Sequence, residues 1–256
     1  MRRFLGEAVL AAFIIGLVPY AFADSEPGQA VKDIKSMTVA ELEKAGDEKR
    51  ALRNYPEAIS YFQEALQRDN RNALIHNKLG MAQMFGGNVN AAKKSFEKAI
   101  QANPDFASAF SNIGVLHFRQ KSLGNAVKYF RKAVTLDDKQ AAFHVNLGVA
   151  LFNQKKYELA MKEYARAFEL DPDVLERSSR AGVTAQIANP EDRARFYFEL
   201  AKILARRRDF ENCLRYLKLA KDTGYGMMKD VYRDDQFSRL WDDARLHEIV
   251  APPAAK

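Results

Sequence analysis

Glycine recurs at Gly46, Gly80, Gly114 and Gly148, each 34 residues from the last with no insertion or deletion between them. Twelve residues after each glycine stands an alanine: Ala58, Ala92, Ala126 and Ala160. Four further on comes an aromatic ring (Phe62, Phe96, Phe130, Tyr164), and three beyond that a second alanine (Ala65, Ala99, Ala133, Ala167). A period of this length marks stacked supersecondary units, because one unit cannot bury its own apolar face and must cover it with its neighbour. The pattern therefore predicts an all-α fold, an α-solenoid of helix-turn-helix repeats. Solenoids generally work as binding surfaces.

The repeats are expected at 39–72, 73–106, 107–140 and 141–174, each with two helices. Turn residues separate the helices at Arg53-Asn54, Gly86-Gly87-Asn88, Lys121-Ser122 and Gln154-Lys155-Lys156. Thr38 followed by Glu41 reads as a capping box, with Met37 and Leu42 placed for a hydrophobic staple. Pro104 and Pro172 stop the second helix of repeats two and four, since proline lacks the amide donor and clashes inside a helix. Asn70 and Asp138 hold that place in repeats one and three. Within each unit the glycine of the first helix faces the first alanine of the second, so the two backbones approach closely. The second alanine leaves room for the next unit, while Leu79, Ile113, Leu147 and the aromatics fill the remaining volume.

This grid resembles the tetratricopeptide repeat, whose signature over 34 residues is an aromatic, Leu-Gly, an aromatic, Ala, an aromatic, Ala and Pro. The resemblance covers 39–174, over half the chain. It departs from the signature at the tryptophan position, which holds Leu42, His76, Phe110 and His144. It departs again at the later aromatic of the first helix, which holds Lys49, Gln83, His117 and Leu151. In that family the first helices form the concave wall, through their second, fifth, ninth, twelfth and thirteenth positions. Carried over, repeat two offers Leu74, Asn77, Met81, Met84 and Phe85. Repeat three offers Ser108, Ser111, Val115, Phe118 and Arg119, and repeat four Ala142, Val145, Val149, Phe152 and Asn153. Met81/Met84, Val115/Phe118 and Val149/Phe152 make an apolar ladder, bounded by Asp47 and Arg50 at one end and Lys202 and Ala205 at the other. The implied partner is a protein or peptide segment, apolar or amphipathic, laid in that groove. The plainer reading is packing between units. Asn112 and Asn146 match a structural asparagine of the family, and the wall is too apolar to grip a terminal carboxylate as some family members do.

After Pro172 the register breaks. Residues 175–193 read as an irregular or short-helix connector, and 194–227 as a degenerate fifth unit. There Leu200-Ala201 stands for Leu-Gly, Cys213 for the first alanine, Leu217 for the aromatic and Ala220 for the second alanine. Residues 228–250 carry Val231, Tyr232, Phe237, Leu240, Trp241, Leu246 and Ile249 at helical spacings, the expected C-terminal helical cap, and 251–256 form a tail. Cys213 reads as a small buried packer, so no internal disulfide forms from this single thiol.

The N-terminal end has a different character. Arg2 and Arg3, an apolar stretch from Ala8 to Val18, and Ala21-Phe22-Ala23 before Asp24 form a signal-peptide pattern over 1–23, with cleavage after Ala23. A flexible lead follows at 24–35. The expectation is export to the periplasm or beyond, with no stable membrane insertion after cleavage. Retention of the segment as an anchor is the alternative. The net charge of +7 comes without a block of five or six like charges, so nucleic acid is not an expected partner. No HExxH, C-x-x-C, phosphate loop or Gly-x-Ser-x-Gly is present. His76, His117 and His144 fall in packing slots, so neither a metal nor a cofactor is expected. The leading functional expectation is a non-enzymatic interaction scaffold. The rivals are a self-associating component of a cell-envelope assembly and, more remotely, an enzyme with its chemistry in 175–250.

Overall fold

The computed structural model describes residues 33–174 and 189–253. The expected signal segment and its cleavage point, the lead as far as residue 32, residues 175–188 of the expected connector and the last three residues lie outside the described residues.

From Thr38 onward the chain forms successive antiparallel helical hairpins, and no strand occurs among the described residues. The first pair is α1 (Val39–Ala51) with α2 (Tyr55–Arg68), followed by α3 (Ala73–Phe85) with α4 (Val89–Ala102). Then come α5 (Ala107–Arg119) with α6 (Leu123–Leu136), and α7 (Ala141–Asn153) with α8 (Tyr157–Leu170). A further pair, α9 (Pro190–Arg206) and α10 (Phe210–Asp222), lies beyond 175–188. The capping box forms: the Glu41 amide donates to Thr38 Oγ1 and the Thr38 amide to Glu41 Oε2 at 2.8 Å. Asn54, Asn72, Asn88 and Asp209 cap α2, α3, α4 and α10 in the usual way, each accepting from an amide of the first turn.

Each hairpin turns on one residue with positive φ: Arg53 (59°), Gly87 (86°), Lys121 (59°), Lys155 (63°) and Arg208 (60°). These stand at equivalent places in the five hairpins. A left-handed residue after a helix is the usual device for reversing the chain, and glycine adopts it most easily. Only the second hairpin uses glycine, so the other four tolerate some backbone strain in a bulkier residue.

The small-residue grid sits where the helices of a hairpin cross. Ala58, Ala92, Ala126 and Ala160 are fully buried, as are Phe62, Phe96 and Tyr164. Each aromatic ring lies flat against the glycine of its partner helix. A Cβ built on Gly46, Gly80 or Gly114 would stand 2.5–2.6 Å from Phe62, Phe96 or Phe130. The ring thus occupies the volume that any side chain would need. At Gly148 the approach to Tyr164 is looser, at 3.1 Å.

The last repeat is closed by the residues that follow it. They form two 3-10 turns (Met228–Tyr232, Asp235–Leu240) and a short α11 (Ala244–Ile249), shorter elements than helical spacing alone predicts. The acidic pairs divide them: Asp234 and Asp243 cap new turns by accepting from the Gln236 and Arg245 amides. Val231, Phe237, Leu240 and Leu246 are buried in the core that contains Phe198 and Leu217, and Phe198 and Phe237 pack at 5.6 Å. Trp241 Nε1 donates to the Val231 carbonyl at 2.9 Å and Tyr232 Oη to the Val250 carbonyl at 2.8 Å. Cys213 is fully buried, and burial followed by the charge of Asp209 pushes its thiol up to about 12.

Candidate functional site: the face of the first helices

The first helices α1, α3, α5 and α7 lie side by side, and a repeating polar rung joins each to the next. The sixth residue of one helix donates to the fifth of the preceding helix, 35 residues earlier. Asn112 Nδ2 donates to Asn77 Oδ1 at 2.8 Å, and Asn146 Nδ2 to Ser111 Oγ at 3.1 Å. Lys78 Nζ makes the same reach to Glu43 and adds Asp47. Burial works against the Lys78 ammonium, but the hydrogen bonds and charges of Asp47 and Glu43 outweigh it and hold its pKa above the ordinary lysine value. Matched donors and acceptors are what half-buried polar groups at a joint require. The ion-paired rung has its own sequence signal, since Glu43 precedes Lys78 by the same 35 residues that separate Asn77 from Asn112.

The structure distributes the predicted groove residues unevenly. In repeat two, Leu74 and Phe85 face solvent at 42% and 52% exposure, and Phe85 stacks on Tyr55 with ring centroids 6.0 Å apart. Met81 is half-buried. Met84 is buried in a cluster with Phe96, Ile113 and Leu116. Asn77 is also buried, its carbonyl oxygen committed to the rung. In repeat three, Val115 and Phe118 are half-buried and Arg119 is exposed. In repeat four, Val145, Val149 and Phe152 are all but fully buried, in the same core as Val174, Phe196 and Leu200. Phe152 packs edge-on against Phe196 of α9 at 5.4 Å and Tyr157 at 4.8 Å. The apolar strip is therefore accessible over repeats two and three, through Leu74, Met81, Phe85, Val115 and Phe118, and is part of the core at repeat four. Its ends are charged and internally paired: Arg50 with Asp47 at 3.1 Å, Lys202 with Asp234 at 2.9 Å.

Three of the four histidines occupy the other side of the first helices. His76 and His144 are 7% and 5% exposed, and each ring donates from Nε2 to a carbonyl of the turn before its helix: Asn70 at 2.9 Å, Asp138 at 3.1 Å. His117 stacks on Tyr129 at 5.2 Å, and its pKa is lowered by burial and then by the charge of Lys93. Among the described residues no group of three or more His, Cys, Asp or Glu is placed to hold a metal ion. No described helix is long and apolar enough to cross a membrane.

Comparison with protein families agrees with this architecture. Two models, both described as the tetratricopeptide repeat, match residues 43–84, 77–141 and 141–174, together a little over half of the chain. The chain belongs to the tetratricopeptide repeat proteins, a family that mediates protein–protein interaction and scaffolding. No curated protein matches it. Among solved structures it is similar to Pseudomonas aeruginosa PilF, at 18% identity and a TM-score of 0.54, over 83% of this chain and 91% of that one. It is also similar to YrrB, described as a TPR protein with an unusual peptide-binding site, at 18% identity and a TM-score of 0.48, over 76% and 91%. MamA from Desulfovibrio magneticus RS-1 gives 16% and 0.49 over 72% and 94%. At 18% identity the likeness to PilF is one of fold.

Proposed function

We propose that the chain is an exported scaffold, released by cleavage after Ala23, that captures an apolar or amphipathic segment of a partner protein on the first-helix face of repeats two and three. The reading rests on one observation: large apolar side chains of α3 and α5 stay accessible along this face, beside the cation Arg119, whereas Val149 and Phe152, which hold the places of Met81, Val115 and Phe118 in repeat four, are buried. A row of apolar side chains at helical spacing beside a charge fits a segment laid across it. Residues from repeat four to the C-terminal turns supply the stable end against which this face is held.

The variant Leu74→Glu plus Phe85→Glu tests the reading, because both side chains already face solvent and the fold tolerates the change. Met84 would not serve, since a carboxylate there would be buried unpaired. Captured from envelope extracts, wild type is expected to retain partners that the variant loses. Equal yields from two equally folded proteins would refute the groove. Cleavage is tested by N-terminal sequencing of the mature protein, expected to begin at Asp24; an intact Met1 start would refute release and leave the anchored alternative. Self-association is the second reading, favoured by the exposure of Leu52 (76%) and Leu159 (45%). Sedimentation across a concentration series decides it, since a monomer throughout removes it.

A further inference from the structure

Opposite the apolar strip, α2 and α4 part to leave an open cleft of about 1250 Å³, with one face of α3 at its floor. Its lining contains no acidic residue, while Arg71, Lys94 and Lys98 stand around it. None of the three makes an ion pair among the described residues. At the floor lie His76, Gln83 and Ser95, all more than nine-tenths buried. Ser95 Oγ donates to Gln83 Oε1 at 2.7 Å. His76 Nε2 is held by the Asn70 carbonyl, but its Nδ1 is buried without a hydrogen-bonding partner among the described residues.

The chain itself shows what such a nitrogen takes. His144 is the equivalent of His76 two repeats on, with the same Nε2 bond to the preceding turn. Its Nδ1 meets Glu163 Oε2 at 2.7 Å. Glu163 is the equivalent of Ser95, both pairs being 68 residues apart. In repeat three Phe110 stands in place of the histidine, and the equivalents of Gln83 and Ser95 are His117 and Tyr129, whose rings stack. Repeat two thus has the histidine of repeat four without its carboxylate, because serine is too short to reach and spends its hydroxyl on Gln83. The shortfall of side chain opens the cleft, and the cations around it favour an anion there.

We propose that this cleft is a second binding site, for an acidic peptide segment, which seats a carboxylate on His76 Nδ1 as Glu163 is seated on His144, with Arg71, Lys94 and Lys98 around it. In that complex the ring donates through both nitrogens and carries the imidazolium charge, as two oxygen acceptors require. A peptide segment is the occupant rather than a small acid for two reasons. The cleft is open and exceeds the ~300–1,000 Å³ of ordinary small-ligand pockets. Lys94 and Lys98, four residues apart on one helix face, can meet alternate carboxylates on one side of an extended chain.

Fluorescein-labelled hexaglutamate amide, titrated by anisotropy at low salt, is the probe, with hexaglutamine amide and free glutarate as controls. Hexaglutamate is expected to bind and to shift the His76 ring nitrogen signals, while hexaglutamine does not. Ser95→Glu restores the internal carboxylate of repeat four and should weaken binding at least tenfold, as should Lys94→Gln plus Lys98→Gln. Circular dichroism checks that both variants are folded. Leu74→Glu plus Phe85→Glu should bind hexaglutamate as wild type does, which separates this site from the apolar strip. The proposal is overturned if hexaglutamate does not bind, if Ser95→Glu and the lysine variant bind it unchanged, or if glutarate binds as tightly as the peptide.

Discussion

The glycine at each helix crossing makes a quantitative test, because the same substitution has opposite effects at two glycines of this chain. At Gly80 a Cβ would stand 2.5 Å from Phe96 Cε1 and 2.6 Å from Cδ1. Carbon atoms pack best at roughly 3.5–4.0 Å, so Gly80→Ala forces about 1 Å of overlap. The ring cannot swing into solvent, since it is fully buried among Met84, Ala92, Ile113 and Leu116. Overpacking of this kind costs about 1–3 kcal/mol, while alanine gains up to ~1 kcal/mol over glycine in a helix. At Gly124, in the exposed first turn of α6, nothing lies within 4 Å of the added methyl, so only the gain remains. Subtracting one variant from the other largely cancels the helix preference and leaves the clash, about 1–3 kcal/mol. For a chain of this size that is a difference of roughly 2–12 °C in Tm. Urea and thermal unfolding followed by circular dichroism should rank Gly124→Ala above Gly148→Ala, where the contact is 3.1 Å, and that above Gly80→Ala. If Gly80→Ala proves as stable as Gly124→Ala, the claim that the grid sets the helix approach is wrong.

Three further outcomes are expected. Lys121→Gly, at an exposed turn residue with φ of 59°, should raise stability by about 1 kcal/mol through relief of left-handed strain, read as a higher urea midpoint; a lower midpoint would contradict it. His117 has a folded pKa below its ordinary value of 6.5, so the unfolded chain binds its proton first. Its contribution is fully present above pH ~6.5 and is lost as pH falls through the lower folded value. His117→Gln should therefore flatten the fall in stability between pH 7 and 5, and an unchanged slope would count against this. Cys213, buried with its thiol pushed up to about 12, should resist a maleimide at pH 7.5 until the protein is unfolded in guanidinium; rapid labelling of the native protein would show that the α9–α10 packing is wrong.

The repeat architecture was legible because its determinants are local and periodic. Glycine, alanine and an aromatic at fixed offsets specify which faces of two helices can touch, and the turn and cap residues sit beside them in the chain. The same logic found Cys213 and Ala220 in the degenerate fifth unit, where both are buried. Periodicity also named the wall-forming residues of α3, α5 and α7, but it could not say which of them are covered. Val149 holds the place of Met81 and Val115, and Phe152 that of Phe118, yet both are buried. Their burial depends on elements that return from later in the chain, as Phe196 of α9 meets Phe152. The division of residues 228–250 into short turns likewise needed the positions of Asp234 and Asp243 as caps, which compete with helical spacing.

Taken alone, then, the amino-acid sequence determined the helix pairs, their close crossings and the face on which each residue lies, since these follow from side-chain size and a 3.6-residue turn. Only the tertiary structure decided which part of the apolar strip remains accessible, how Lys78, Asn112 and Asn146 lock successive repeats together, and that Ser95 leaves His76 without the carboxylate that His144 has. Burial and pairing are set by neighbours distant in the chain, and a repeating pattern carries no record of what packs against it.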